Sequence, residues 1–106
     1  MPDFMGMMKK AQEMQAKMAE IQAQLEAAMV EGTAGGGVVT VRLNGKGEMI
    51  HAEIDPSLLK AEEKEIVQDL LVAAHAEARK KVEALAADKM KEVTAGLPLP
   101  PGLKLF

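Results

Sequence analysis

Gly35-Gly36-Gly37-Val38-Val39-Thr40-Val41-Arg42-Leu43-Asn44-Gly45-Lys46-Gly47-Glu48-Met49-Ile50-His51-Ala52-Glu53-Ile54 is the stretch that decides the fold. Val38 to Leu43 is rich in β-branched side chains, which fit a pleated surface. Asn44-Gly45-Lys46-Gly47 is a hairpin turn signal, because Asn and Gly accept the positive φ of tight reversals. Glu48 to Ile54 then alternates polar and apolar. Val39, Val41 and Leu43 point one way, and Ile50, Ala52 and Ile54 share that face across the hairpin. Upstream, Met29 to Ala34 is expected to form a further strand, joined by the Gly35-Gly36-Gly37 turn. The reading is a three-stranded antiparallel meander. Its apolar residues Val39, Val41, Leu43, Ile50, Ala52 and Ile54 are the candidate dimerisation surface.

Helical patterns flank this centre. Phe4, Met7, Ala11, Met14, Met18, Ile21, Leu25 and Ala28 alternate spacings of three and four, the a/d seam of a heptad pattern. No Pro or Gly interrupts it after Gly6, so a helix of roughly 35–40 Å is predicted. On the other side, Asp55-Pro56-Ser57 breaks the strand and offers a helix cap with Pro just inside. Leu58 and Leu59 fall in a short turn. From about Glu62, residues Ile66, Val67, Leu70, Leu71, Ala74, Ala78, Val82, Leu85, Met90 and Val93 trace one helical face, which Gly96 and Pro98 end. The fold class is therefore α+β: long helix, meander, long helix. Residues 1–96 form one domain, followed by a Pro-rich tail over 97–106. Both helices are too long for one small sheet to cover, so parts of each should project.

The 106 residues are one domain's worth. Only 2% are aromatic, while nine Met and many Ala occupy the apolar positions, which suits helix packing and leaves no thick core. Such a chain is expected to complete its buried surface against a copy of itself. The absence of Cys excludes a disulfide framework, a thiolate metal site and a Cys nucleophile. No signal-peptide layout and no membrane-length apolar run is read, so a cytoplasmic protein with no membrane partner is expected. The net charge of −3 argues against nucleic acid as the default partner, but the placement of charge matters more than its sum.

Catalysis finds little support. His51 and His75 lie on different elements without ligand spacing, and both read as surface histidines. Glu62, Glu63 and Glu65 read as acid in the first turns of a helix, where the dipole favours it. No Ser sits in a nucleophile-elbow context. Gly35-Gly36-Gly37 precedes a strand, not a helix, and Gly45-Lys46-Gly47 lacks the P-loop's Ser/Thr and spacing, so both read as tight turns. The triple glycine also leaves room for a close backbone approach. No enzyme activity, metal, cofactor or small-molecule substrate is expected. Met7, Met14 and Met18 read as seam packing, with an adaptable partner-binding face as the alternative.

Basic residues cluster on both helices: Lys9, Lys10 and Lys17, then Arg79, Lys80, Lys81, Lys89 and Lys91. Acidic residues collect elsewhere: Glu20, Glu26 and Glu31, then Glu48, Glu53 and Asp55, then Glu62 to Asp69. Read alone, these runs are solvated helix faces, with DNA contact as the alternative. Two terminal phenylalanines give no stacking platform for single strands, and no short helix pair suggests base reading.

The whole chain resembles the YbaB/EbfC family of nucleoid-associated proteins. The match is carried by Met7-Met8-Lys9-Lys10-Ala11-Gln12-Glu13-Met14-Gln15, Gly35-Gly36-Gly37-Val38-Val39, Asn44-Gly45-Lys46-Gly47 and Ile54-Asp55-Pro56-Ser57-Leu58-Leu59. Lys89-Met90 and the Thr94-Ala95-Gly96-Leu97-Pro98-Leu99-Pro100-Pro101-Gly102 tail complete it. The resemblance implies a tweezer-like homodimer in which the meanders associate and the long helices project. It also implies duplex DNA binding with changes in DNA conformation, and roles in nucleoid organisation, gene regulation and DNA protection. The residues add a place for the contacts: the eight basic side chains above, sharing the end remote from the sheet. The rival is a dimeric protein-interaction module that docks through the Met seam or the tail without touching DNA.

Overall fold

A computed structural model describes residues 3–94. Helix α1 spans Phe4–Ala27, strands β1, β2 and β3 span Met29–Ala34, Val39–Asn44 and Met49–Ile54, and helix α2 spans Lys64–Thr94. Two 3₁₀ turns, Pro56–Leu58 and Ala61–Glu63, lead into α2. The expected α+β order is what the chain adopts. The predicted helix stop at Gly96 and Pro98 and the tail lie outside the described residues.

Each element begins where its local chemistry dictates. The Asp3 carboxylate accepts from the Gly6 N–H at 2.9 Å, satisfying one of the orphan donors that start α1. Asp55 accepts from the Ser57 N–H at 2.9 Å, closing the turn that leaves the sheet. Gly35, Gly36 and Gly37 all take positive φ, at 64°, 75° and 99°, and reverse the chain between β1 and β2. At the second reversal Asn44 is 5% exposed. Its Oδ1 accepts from the N–H groups of Lys46 and Glu48, each at 3.0 Å, and its Nδ2 donates to Glu48 Oε1 at 2.9 Å. One buried side chain thus organises the whole turn.

The sheet order is β1-β2-β3, all antiparallel. Val39 pairs with Ile54 and Val41 with Ala52, as the alternation predicts. The register then slips between Arg42 and Leu43, so that Leu43 pairs with Met49 and Ile50 becomes the extra residue. Ile50 therefore drops out of the predicted row, and Met49 takes its place opposite Leu43.

The core lies between α2 and the first two strands. Val39, Val41 and Leu43 are fully buried beneath Ala74, Ala78 and Val82. Three small residues permit the close approach: at Gly32 a Cβ would run into the Ala74 carbonyl oxygen and the Ala78 backbone nitrogen. Close approach recurs at Gly45, whose N–H donates to Leu25 O at 2.7 Å and where a Cβ would stand 2.8 Å from Leu25 Cα. The triple glycine, offered as a place for such approach, meets no other backbone: a Cβ at Gly36 or Gly37 would have nothing within 4 Å, and one at Gly35 would meet only the side chains of Val38 and Leu70.

A smaller cluster of Ile21, Leu25 and Val93, flanked by Met18 and Leu85, ties the end of α1 to the end of α2. Among the described residues the heptad seam is thus packed only from Met18 onward. Phe4 and Met7 remain 69% and 64% exposed. From Met18 back to Phe4 the helix advances ~21 Å as a free arm, which helps draw the molecule out to 73 Å.

Candidate nucleic-acid interface

The eight basic candidates fall into separate groups. Lys9 and Lys10 stand exposed on the α1 arm, and neither forms an ion pair or hydrogen bond among the described residues. Lys17, one turn before the packed part of α1, lies 3.9 Å from Glu20 Oε2. At the far end of α2, Lys89 is held 3.8 Å from Glu92 Oε1, and Lys91 is exposed. These five share the region where the two helices leave the sheet.

Arg79, Lys80 and Lys81 do not join them. They sit where α2 still crosses the sheet. The Arg79 guanidinium lies against the β2–β3 turn, with Nη1 2.9 Å from the point a Gly47 Cβ would occupy. Lys81 turns the other way and donates to Glu31 O at 2.6 Å, with Glu77 Oε1 3.6 Å away. Lys80 is exposed and unpaired among the described residues. Of the eight candidates, the cations unengaged among the described residues are therefore Lys9, Lys10, Arg79 and Lys80. Periodicity placed all eight on helices, but only the packing shows where along α2 the sheet ends.

Of the remaining described cations, Lys60 and Lys64 are exposed and unpaired at the start of α2, beside Glu62, Glu63 and Glu65, and the others are engaged. Arg42 reaches Glu31 Oε1 at 2.5 Å, and Lys46 reaches Glu26 Oε1 at 3.7 Å. On the sheet face turned away from α2, His51 lies 3.0 Å from Glu53 across the end of Arg42. The hydrogen bond from His51, then its charge and that of Arg42, hold the Glu53 carboxyl below the usual carboxylate range. The Ser57 side chain and backbone N–H do the same for Asp55. This end of the molecule carries the acid, so phosphate is disfavoured there.

The six candidate dimerisation residues also divide. Val39, Val41 and Leu43 are 0% exposed under the chain's own α2, and so are spent on the core. They offer no area to a partner. Ala52 and Ile50 are exposed and Ile54 half-buried, because α2 covers β1 and β2 but leaves β3 open. Met49, which the alternation missed, is 53% exposed beside them. Among the described residues β3 pairs on one side only, so its outer row of backbone N–H and C=O groups has no strand partner there. The signal that could have found this surface was the strand order itself, since the last strand of a meander is an edge.

Among the described residues there is no cluster of three His, Asp or Glu able to hold a metal ion. Among the same residues, no helix is long and apolar enough to cross a membrane. His75 is half-buried within α2.

Comparison with known proteins bears on this surface. The sequence model of the YbaB/EbfC DNA-binding family matches residues 1–97. A nucleoid-associated protein of Agrobacterium fabrum is 60% identical over 105 residues, covering 99% of this chain and 98% of the relative. One from Rhizobium meliloti is 57% identical over the same span, with the same coverage. Among solved structures, an uncharacterized protein from Helicobacter pylori superposes with a TM-score of 0.76 at 28% identity, covering 87% of this chain and 97% of that one.

Proposed function

Because this chain belongs to the YbaB/EbfC DNA-binding family, we propose that it acts as a homodimer that grips duplex DNA by its phosphates and changes the shape of the duplex. Its place is the nucleoid of the cytoplasm, and its roles are nucleoid organisation, gene regulation and DNA protection. No catalytic step or small-molecule substrate belongs to this reading. The observation that carries it, beside the family, is the pair Lys9 and Lys10. They stand unpaired on an arm clear of the acidic sheet, free to exchange counterions for phosphates. Lys17, Lys89 and Lys91 lie at the root of that arm and extend the contact. Arg79, Lys80 and Lys81 form a second set of contacts beside the β2–β3 turn.

Such contacts hold the backbone and do not read bases, so discrimination among sequences comes from DNA shape and stiffness. The homodimer is assigned to the open β3 edge, through Met49, Ile50, Ala52 and Ile54, where a second β3 would satisfy the unpaired backbone groups. Titration of labelled duplex DNA at two salt concentrations, with mass followed by light scattering, tests both parts. Binding that weakens steeply with salt, at dimer mass, is the expected result. A dimer indifferent to DNA even at low salt would overturn the reading and favour a protein-docking module.

A further inference from the structure

Past Val82, the last residue that α2 gives to the sheet core, one flank of the helix is apolar. Glu83, Ala86, Ala87 and Met90 follow the i, i+3, i+4, i+7 spacing of a single helical face and line a groove of about 330 Å³. The groove lies beside the face that Leu85 and Val93 turn toward α1. Ala86 and Met90 are half-buried, and Ala87 is exposed. Glu83 is the one polar side chain of this lining, and it forms no ion pair or side-chain hydrogen bond among the described residues. A small-molecule site gathers several convergent polar groups, which this groove lacks. Its borders carry both signs of charge, with Arg79 and Lys80 a turn before Glu83 and Lys91 next to Met90, so they select no charged peptide. The occupant that fits is an uncharged, apolar length of chain.

The sequence supplies such a length directly beside it. Residues 95–106 follow the described end of α2 at Thr94, and Leu97-Pro98-Leu99-Pro100-Pro101 carries two leucines and no charge. Gly96 is suited to the left-handed turn that reverses a chain after a helix. From Thr94 back to Glu83 the helix covers ~16 Å, and five residues of polyproline helix from Gly96 to Pro101 cover ~16 Å as well. We infer that Leu97 to Pro101 folds back along α2 of its own chain and fills this groove, with Leu97 beside Met90 and Leu99 beside Ala86 and Ala87. Three of those five residues are prolines, which bring no N–H to be stripped of water and little backbone freedom to lose. Gly102 then lets the chain leave the helix before Lys104 comes level with Arg79 and Lys80. The tether decides between this segment and any other peptide, because an attached segment meets the groove at roughly millimolar effective concentration. The contact gives the projecting end of α2 a second packed side, and it depends neither on DNA nor on the β3 edge.

The protein has no cysteine, so introduced pairs report the contact directly. Ala87→Cys and Leu99→Cys are placed together in the full-length chain. The reference carries Asp88→Cys with Leu99→Cys, one residue closer in sequence but turned ~100° around the helix, away from the groove. Both helix positions are exposed, and circular dichroism verifies that helix content is retained. Isotope-labelled and unlabelled copies are mixed without DNA, mildly oxidised and digested, so that mass spectrometry separates bonds within a chain from bonds between chains. The expected product is the 87-to-99 disulfide within one chain, formed about tenfold faster than the 88-to-99 bond. Adding Leu97→Asp should bring the first rate down to the second. Equal rates in the two pairs would overturn the inference, since a tail that samples all sides of α2 forms both bonds alike. So would a predominant bond between chains, or an 87-to-99 preference indifferent to Leu97→Asp. DNA binding is measured apart, by titration, and its failure leaves this outcome untouched.

Discussion

Replacing Gly32 with Ala tests the packing on which everything else rests. The new methyl would meet the Ala74 carbonyl oxygen and the Ala78 nitrogen, with Ala78 Cα at 3.0 Å. All three are backbone atoms of α2, and none can swing aside as a side chain would. The helix must lift as a unit, which opens the layer formed by Val39, Val41, Leu43, Ala74, Ala78 and Val82. Overpacking a tight core costs 1–3 kcal/mol, and a rigid neighbour places this case at the upper end, about 3 kcal/mol. For a domain of this size that corresponds to a melting point lower by about 12–20 °C. Thermal unfolding followed by circular dichroism reads it directly, at one protein concentration because association itself raises stability. Gly36→Ala is the control. It adds a methyl in open space at φ 75°, so only the left-handed backbone costs anything, about 1 kcal/mol. A Gly32→Ala protein melting within ~3 °C of the parent, or no lower than Gly36→Ala, would refute the close approach.

Other outcomes follow from the same contacts. Lys9→Ala with Lys10→Ala should leave the melting point unchanged and reduce the slope of log affinity against log salt by about 1.8, or 0.9 per phosphate lost; an unchanged slope removes the arm from the interface. Arg79→Ala, Lys80→Ala and Lys81→Ala together should weaken DNA binding and also lower stability slightly, since Lys81 holds Glu31 O; unaltered affinity would confine the contact to the arm. Asn44→Ala strips the β2–β3 turn of its buried acceptor and should cost about 2 kcal/mol by denaturant unfolding. Glu53 and Asp55 both have pKa values held down in the folded chain. Their ionised forms therefore favour the fold at neutral pH, and that contribution is lost as pH falls through the lowered values, beneath the ordinary carboxylate range. Asp55→Asn keeps the acceptor for Ser57 but does not titrate, so its melting point should fall less steeply there than the parent's; parallel curves would exclude Asp55 as a source of the acid sensitivity.

How much of this was legible beforehand depends on what kind of information each feature carries. The hairpin was plain, because β-branched alternation and Asn44-Gly45-Lys46-Gly47 are local signals. The bulge at Ile50 was not, since a one-residue slip depends on how two strands settle against each other and leaves no mark on composition. The α1 seam reads as one continuous face, yet among the described residues it is packed only from Met18 onward. Periodicity identifies a face but not what lies against it. Gly32 was passed over as an ordinary strand residue, although a glycine within a strand is a known sign of close backbone approach. The spacing of four between Ala74 and Ala78 would have named the helix that approaches. Val39, Val41 and Leu43 were assigned to a partner because a sheet face looks the same whether α2 or another subunit covers it. Arg79 to Lys81 were expected with the other cations for a related reason. Where a helix stops touching the sheet is a matter of length and crossing angle, which pattern alone does not supply.

The junction at Gly45 and Leu25 has a mechanical side. Main chain rests on main chain there, with the Gly45 N–H bonded to Leu25 O, and the Val93 cluster clamps α1 a turn or so further out. Beyond that clamp the arm is a cantilever. A tilt of ~10° at its root sweeps Phe4 through ~4 Å over a free length of ~21 Å, comparable to the ~3.4 Å by which successive phosphates of one strand advance along the duplex axis. Where Lys9 and Lys10 come to rest is therefore set less by the lysines than by the fit of one glycine against one turn of helix, at the far end of the arm from them.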